Sequence, residues 1–194
     1  MDFIMPASKK INRFLMPLFF SFLIVARADA GEFNTKIENA GLVVDDGEYK
    51  LNANINFKLS PAAIEALQNS ISLVWNIRFR LYQERNFLWD KKLLEYTQRY
   101  KIRYHALLKM YQVKNETSGE VRRFFSQFSA FKAMGEIRNL MVAQSVEIVH
   151  PENIRAALQI QFDREALPLP LRPVAYFDSQ WYLSSDWLQW PVQK

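Results

Sequence analysis

The sequence predicts a mainly β fold: an antiparallel β-sandwich of about eight strands with two short helices, preceded by a signal peptide. Apolar and polar residues alternate with a period of two along most of the chain, as in strands with one buried face. Only two stretches carry helix-start signals, and no linker or repeat marks a second domain. The 194-residue chain contains no cysteine, so its stability must come from a packed core.

The first 28 residues have the three parts of an export signal. Three basic side chains precede an apolar stretch, Phe14–Ala26, which is shorter than the roughly 18–20 residues of a membrane-spanning helix. Ala26 and Ala28 then predict cleavage after Ala28. Cleavage after Ala30, or retention as an uncleaved inner-membrane anchor, are the alternatives. The mature chain, 29–194, is predicted to be one domain in the periplasm.

The overall charge indicates no particular partner. The formal net charge is +5, but the first 28 residues carry four basic side chains and one acidic side chain. The remaining 21 basic and 19 acidic residues give a net charge of +2. Only a local cluster of charge could therefore indicate an anionic partner, and for an exported protein we expect no nucleic-acid partner.

Seven segments alternate as strands do. The first two, Phe33–Val44 and Tyr49–Lys58, flank the turn sequence Asp45-Asp46-Gly47 and are predicted to form a hairpin. Further strands are predicted at 73–81, 98–104, 107–113, 139–149 and 154–162. On the apolar faces of the third and fourth segments we expect five buried side chains: Trp75, Ile77, Phe79, Ile102 and Tyr104.

Two helices interrupt the strands. Ser60 as N-cap and Pro61 at the first helical position predict a helix that ends near Gln68. Thr117 and Glu120 predict a capping box for a second helix that ends at Gly135. The apolar stripe of this second helix is expected to pack onto the sheet, and it consists of Val121, Phe124, Phe125, Phe128 and Phe131.

The segment Leu167–Pro173 contains three prolines and is predicted to be extended polyproline II, because proline donates no hydrogen bond to a sheet. A final aromatic strand or hairpin is predicted to follow. Its aromatic residues are Trp181, Tyr182, Trp187 and Trp190. The three tryptophans are expected to cover the core rather than to stack on a sugar.

No catalytic, cofactor-binding or metal-binding residue is predicted. Without cysteine there is no thiol nucleophile and no thiolate zinc site, and no glycine-rich phosphate loop occurs. The two histidines, His105 and His150, fall on separate predicted elements, so they do not predict a paired metal site. We expect a protein that is not an enzyme and has no cofactor.

The third and fourth predicted strands are strongly basic, because residues 76–110 hold nine basic and three acidic side chains. A hairpin that turns at Asp90-Lys91 would place Arg78 opposite Arg103, and Arg80 opposite Lys101. Like charges directly opposed across strands destabilise a sheet by up to about 1 kcal/mol. The candidate partner-binding basic face consists of Arg78, Arg80, Arg99, Lys101 and Arg103.

Three explanations of this basic face are open. Carboxylates from neighbouring strands could neutralise it, with Glu147, Asp163 and Glu165 available. Its arginines could extend into water at little cost. Alternatively, the face contacts an anionic partner, which would be an acidic protein surface, lipid headgroups or a polyanion.

The chain resembles a family of exported bacterial proteins, the domain of unknown function 4390. The resemblance implies a cell-envelope protein of unassigned activity, with genes near a membrane sensor kinase, and it assigns no site residue. It covers nearly all of the mature chain and is carried by Leu51-Asn52-Ala53, Phe57–Pro61, Ala63–Leu67, Tyr100–Leu107, Leu167–Pro173, Trp181, Ser184, Trp187 and Trp190.

From these observations we expect an exported, periplasmic protein-interaction module that is not an enzyme. Its partner is expected to be a protein of the cell envelope, with an accessory role beside an envelope or sensor protein. The alternative is a binding domain for an anionic envelope ligand, either a lipid headgroup or a glycan. An uncharacterised enzyme is the third interpretation.

Overall fold

A computed structural model of the protein describes residues 33–45, 47–85, 89–144 and 153–192. The predicted signal peptide, His150 and Glu147 lie outside these residues. Within them the fold is mainly β, as predicted, and has nine strands. The strands are β1 (Thr35–Asp45), β2 (Glu48–Phe57), β3 (Leu73–Gln83), β4 (Lys91–His105), β5 (Met110–Asn115), β6 (Val121–Phe124), β7 (Glu136–Gln144), β8 (Ile154–Phe162) and β9 (Leu188–Pro191).

The strands form two antiparallel sheets. The smaller sheet has the order β1–β2–β7, and the larger has the order β6–β5–β4–β3–β8–β9. The predicted first hairpin is confirmed, since Asp45 lies opposite Glu48 at the end of the β1–β2 pair. Gly47 in this connection has a φ of +78°, a left-handed conformation that glycine adopts at little cost.

The core lies between the two sheets. Trp75 in β3 is fully buried, and its ring centroid lies 5.5 Å from that of Phe57 in β2 and 5.0 Å from that of Phe162 in β8. This contact joins the larger sheet to the smaller one. The predicted burial of Trp75, Ile77, Phe79 and Ile102 is confirmed, while Tyr104 is half-buried.

The predicted register between β3 and β4 is wrong. Arg80 lies opposite Glu95 and Arg78 opposite Thr97, so the two predicted like-charge pairs do not form. β3 ends at Gln83 and β4 already begins at Lys91, whereas the prediction placed the turn at Asp90-Lys91. The apolar faces are nevertheless correct, because a shift by an even number of residues leaves every side chain on its own face.

The first helix, α1 (Pro61–Gln68), begins as predicted, and the Ser60 hydroxyl accepts a hydrogen bond from the Ala63 amide at 3.1 Å. The predicted start of the second helix at Thr117 is wrong. Asn115 Oδ1 instead accepts hydrogen bonds from the Thr117 and Ser118 amides, at 3.0 and 3.1 Å, and closes the turn between β5 and β6.

The second helix, α2 (Gln127–Gly135), starts nine residues later than predicted, with Ser126 instead of Thr117 as its N-cap, and ends at the predicted Gly135. Because its first residues are in β6 instead, the predicted phenylalanine stripe is divided. Phe131 is buried, but Phe125 and Phe128 are 85% and 76% exposed, so the prediction that these two pack onto the sheet is wrong.

The predicted polyproline II segment is also wrong, since only Leu167 and Pro168 are extended. Leu169–Leu171 forms a 3₁₀ turn, and α3 (Arg172–Phe177) follows it. Pro173 lies in the first turn of α3, where a helix needs no amide donor. None of the described helices is long and apolar enough to cross a membrane.

The predicted final aromatic strand is confirmed as β9, which pairs with the edge of β8. The Trp190 ring packs on Phe79 at 6.4 Å between centroids, and Trp181 is buried against Phe162 at 6.0 Å. These two rings cover the core as expected. Trp187 lies elsewhere, against the basic side chains on the outer face of the larger sheet.

Candidate functional site

The outer face of the larger sheet carries all five residues of the predicted basic face, and the structure divides them into two groups. Arg78, Arg80 and Arg99 form ion pairs with carboxylates. Lys101 and Arg103 form none with any residue that the structure describes.

Glu95 neutralises the first group. One of its oxygens lies 3.0 Å from Arg80 Nε and 3.3 Å from Arg78 Nη2, and the other lies 2.9 Å from Lys92 Nζ. The Trp187 ring covers the two guanidinium groups, with Arg80 Cζ 4.6 Å from its centroid. Glu95 was not among the carboxylates considered from the sequence, because the predicted register placed it away from both arginines.

The Glu95 carboxyl is predicted to stay ionised in acid. Hydrogen bonds from Lys92, then from Arg80 and Arg78, lower its pKa to about 2. Since the folded-state pKa lies below the unfolded value of about 4.3, the carboxylate stabilises the fold above pH 4.3. That stabilisation is lost as the pH falls towards 2.

A ¹³C NMR titration of the carboxyl groups measures this pKa directly. Lys92→Gln should raise the pKa of Glu95, whereas Lys91→Gln at the neighbouring position should leave it unchanged. A Glu95 carboxyl that titrates near pH 4.3 in the wild type would show that the three cations do not stabilise its ionised form.

Arg99 is neutralised by two further carboxylates. Its Nε lies 2.8 Å from Glu116 Oε2 and its Nη1 lies 2.6 Å from Asp163 Oδ2. Of the carboxylates considered from the sequence, Asp163 therefore does pair with the basic face, while Glu165 pairs with Arg172 at 3.4 Å. The first explanation, neutralisation by neighbouring carboxylates, holds for Arg78, Arg80 and Arg99.

The second group lies where β4, β5 and β6 run side by side. Lys101 is directly opposite Lys114 on β5, and Arg103 is opposite Gln112, which is in turn opposite Arg123 on β6. Because directly opposed residues project from the same face of a sheet, these four cations share the outer face. We call Lys101, Arg103, Lys114 and Arg123 the cationic patch; in the described parts of the chain none of them has an ion-pair partner.

Three of the four residues of the cationic patch line a shallow cavity. His105 Nε2 donates to Gln112 Oε1 at 2.6 Å and forms part of its wall. The cavity has a volume of about 170 Å³, and it is lined by Lys101, Arg103, His105, Gln112, Lys114 and Glu116. Glu116, the one carboxylate at this rim, is held by Arg99.

The sequence analysis missed Lys114 and Arg123. It ended the fifth strand at residue 113 and placed residue 123 in a helix, so it assigned neither Lys114 nor Arg123 to a face of the sheet. The alternation of Gln112 and Lys114 with Val113 and Asn115 is the signal that could have shown the first of them, since Val113 and Asn115 are buried.

A second concave surface lies between β2 and α2. Phe128 and Phe131 form its apolar wall, and the cleft has a volume of about 680 Å³. Its rim carries charges of both signs, from Glu38, Lys132, Glu136 and Arg138. Across the described residues, no three histidine, aspartate or glutamate side chains come together in a group that could hold a metal ion.

Comparison with known protein families gives a match over most of the chain. The model of a family described as "Domain of unknown function (DUF4390)" matches residues 33–191. The matched range begins two residues before β1 and ends with β9, so it includes both sheets and the cationic patch. No curated protein and no solved structure matches the chain.

Proposed function

The chain belongs to the DUF4390 family, and we propose that it is a non-enzymatic binding module that works in the cell envelope after export. Its contact surface is the cationic patch, and its partner is anionic. The observation that carries this proposal is the opposition of Lys101 and Lys114 across β4 and β5, with no carboxylate between them in the described residues.

The rest of the outer face supports the proposal by contrast. Three nearby arginines are all paired with carboxylates, one of them with two. Two like charges directly opposite each other on neighbouring strands lower the stability of the fold by up to about 1 kcal/mol. An anionic partner would remove that cost. A sheet that pairs its other arginines but leaves four neighbouring cations without a carboxylate partner among the described residues is typical of a binding surface.

Lys114→Glu separates a binding role from a structural one. The substitution replaces a like-charge pair by an attractive one with Lys101, so we expect the free energy of unfolding to rise by about 0.2–1 kcal/mol. Affinity for an anionic probe, inorganic tripolyphosphate, should fall about tenfold. Urea denaturation and a ¹H–¹⁵N NMR titration with tripolyphosphate measure the two effects.

The matched control is Lys91→Glu, at an exposed lysine that begins β4, the strand that also carries Lys101. This variant should keep the wild-type affinity. In the wild type, the amide shifts should concentrate at the cationic patch and weaken with added salt, since screening acts within about 8–10 Å. Equal shifts at Lys36, Lys58 and Lys91 would contradict the proposal, because they would indicate attraction to any surface lysine.

A further inference from the structure

We propose that the partner of the cationic patch is an anionic lipid bilayer, and that one end of the larger sheet docks on it through exposed apolar side chains. This inference rests on the proposed function and names the chemistry of its partner. The docking end consists of the β4–β5 turn and the residue that follows β6. We call its three exposed apolar residues, Leu107, Leu108 and Phe125, the apolar tip.

All three side chains of the apolar tip are exposed to solvent. Leu107 and Leu108 are 99% and 62% exposed, and Phe125 is 85% exposed. The register brings them to the same place: Phe125 lies one position beyond the Tyr111–Phe124 pair, beside the turn that joins β4 to β5. Neighbouring apolar side chains exposed on a surface mark a contact with a protein or a membrane.

Positive charge surrounds the apolar tip. Arg123 lies two residues before Phe125 on β6, and Arg103 lies four residues before Leu107 on β4, so both are within about 15 Å of the tip along their strands. Lys109 lies in the turn itself and is exposed. Residues 96–115 and 121–135 contain no aspartate or glutamate. Apolar side chains with cations beside them match the layers of an anionic membrane surface, with acyl chains beneath charged headgroups.

The chain also enters the domain at this end. Thr35 at the start of β1 lies opposite Phe57, and the Phe57 ring contacts Trp75 near the start of β3. The start of β3 pairs with Ile102, close to the end of β4 that leads into the apolar tip. The apolar stretch Phe14–Ala26 ends seven residues before Phe33. In the alternative in which this stretch stays in the inner membrane as an uncleaved anchor, it would place this end of the domain beside the membrane, and not the end that carries Trp89.

A surface that is only acidic would neutralise the cationic patch but would not cover Leu107 and Phe125, which need an apolar partner surface as well. A bilayer accounts for both features with one orientation of the domain. The combination of apolar tip and cationic patch therefore favours the lipid surface.

A single fluorescent label tests this docking in the full chain. Because the sequence has no cysteine, Leu108→Cys provides a unique attachment site for a nitrobenzoxadiazole label. We expect its emission to shift to the blue and brighten with vesicles of phosphatidylglycerol and phosphatidylcholine, but not with phosphatidylcholine alone. Phe125→Cys should respond in the same way, and it replaces the first variant if that one fails to fold.

The matched control is a label at Trp89→Cys, which is 93% exposed at the opposite end of β4 and should stay in water. Adding Lys101→Glu to the Leu108→Cys variant should raise the lipid concentration at half-maximal signal by about fivefold or more. No blue shift at positions 108 and 125, an equal shift at 89, or an equal response to phosphatidylcholine alone would each overturn the proposal. If tripolyphosphate still binds at the cationic patch in that case, the proposed function stands and its partner is a soluble anion or an acidic protein.

Discussion

Phe79→Ala is expected to lower the free energy of unfolding by about 3–5 kcal/mol, because it removes a fully buried ring from the centre of the larger sheet. Phe79 lies in β3, opposite Tyr96 on one side and Leu158 on the other. Strands pair with both edges of β3, so the backbone around the lost ring cannot easily collapse into the cavity. Urea denaturation of the two proteins measures the difference.

Phe125→Ala is the matched control for this substitution. It removes the same side chain from a position that is 85% exposed, so we expect the stability to change by no more than about 0.5 kcal/mol. The same variant should weaken docking on phosphatidylglycerol vesicles. Similar losses of stability from the two substitutions would contradict the assignment of β3 to the core.

The buried faces of the strands could be predicted from the sequence, because strand geometry imposes a period of two that the chain shows clearly. Trp75, Ile77 and Phe79 are buried while Arg78 and Arg80 lie on the opposite face. The start of α1 could be predicted for a similar reason, since Ser60 and Pro61 each act on the backbone within three residues.

The register between β3 and β4 could not be predicted in the same way, because it depends on where the loop between the two strands lies. A shift of one strand by an even number of residues leaves the alternation of apolar and polar side chains unchanged, so the alternation does not reveal it. The predicted opposition of Arg80 and Lys101 was wrong for that reason. A like-charge opposition does occur on the same face, but between Lys101 and Lys114, one strand further along the sheet. To predict this opposition from the sequence, one would have needed to know the register in which β4 pairs with β5.

The choice between helix and strand at 121–124 depended on tertiary pairing. Thr117 and Glu120 fit a capping box, but they also fit a turn that the Asn115 side chain closes. Hydrogen bonds to β5 then favour a strand for Val121–Phe124. The strand at 121–124 determines which residues form the candidate site, because it places Arg123 in the cationic patch and leaves Phe125 exposed at the end of the sheet.

Gly135→Ala is expected to be costly for a different physical reason. Gly135 ends α2 where that helix packs on β2, and a Cβ atom at this position would lie 2.2 Å from the carbonyl oxygen of Ile55. That oxygen belongs to the backbone of a strand paired on both edges, so it cannot move without disturbing β1 or β7. We expect the free energy of unfolding to fall by about 3 kcal/mol, at the upper end of the usual range for overpacking.

Gly41→Ala on β1 isolates the cause of that loss. No atom lies within 4 Å of a Cβ built at Gly41, and neither glycine has a positive φ. Both substitutions restrict the unfolded chain in the same way, which alone would stabilise each protein by about 0.4–1 kcal/mol. Gly41→Ala should therefore be neutral or stabilising in urea denaturation, and the difference between the two variants measures the contact with Ile55. Equal stabilities would mean that α2 does not approach β2 this closely, and that the wall of the cleft beside Phe131 is displaced from its place in the structure.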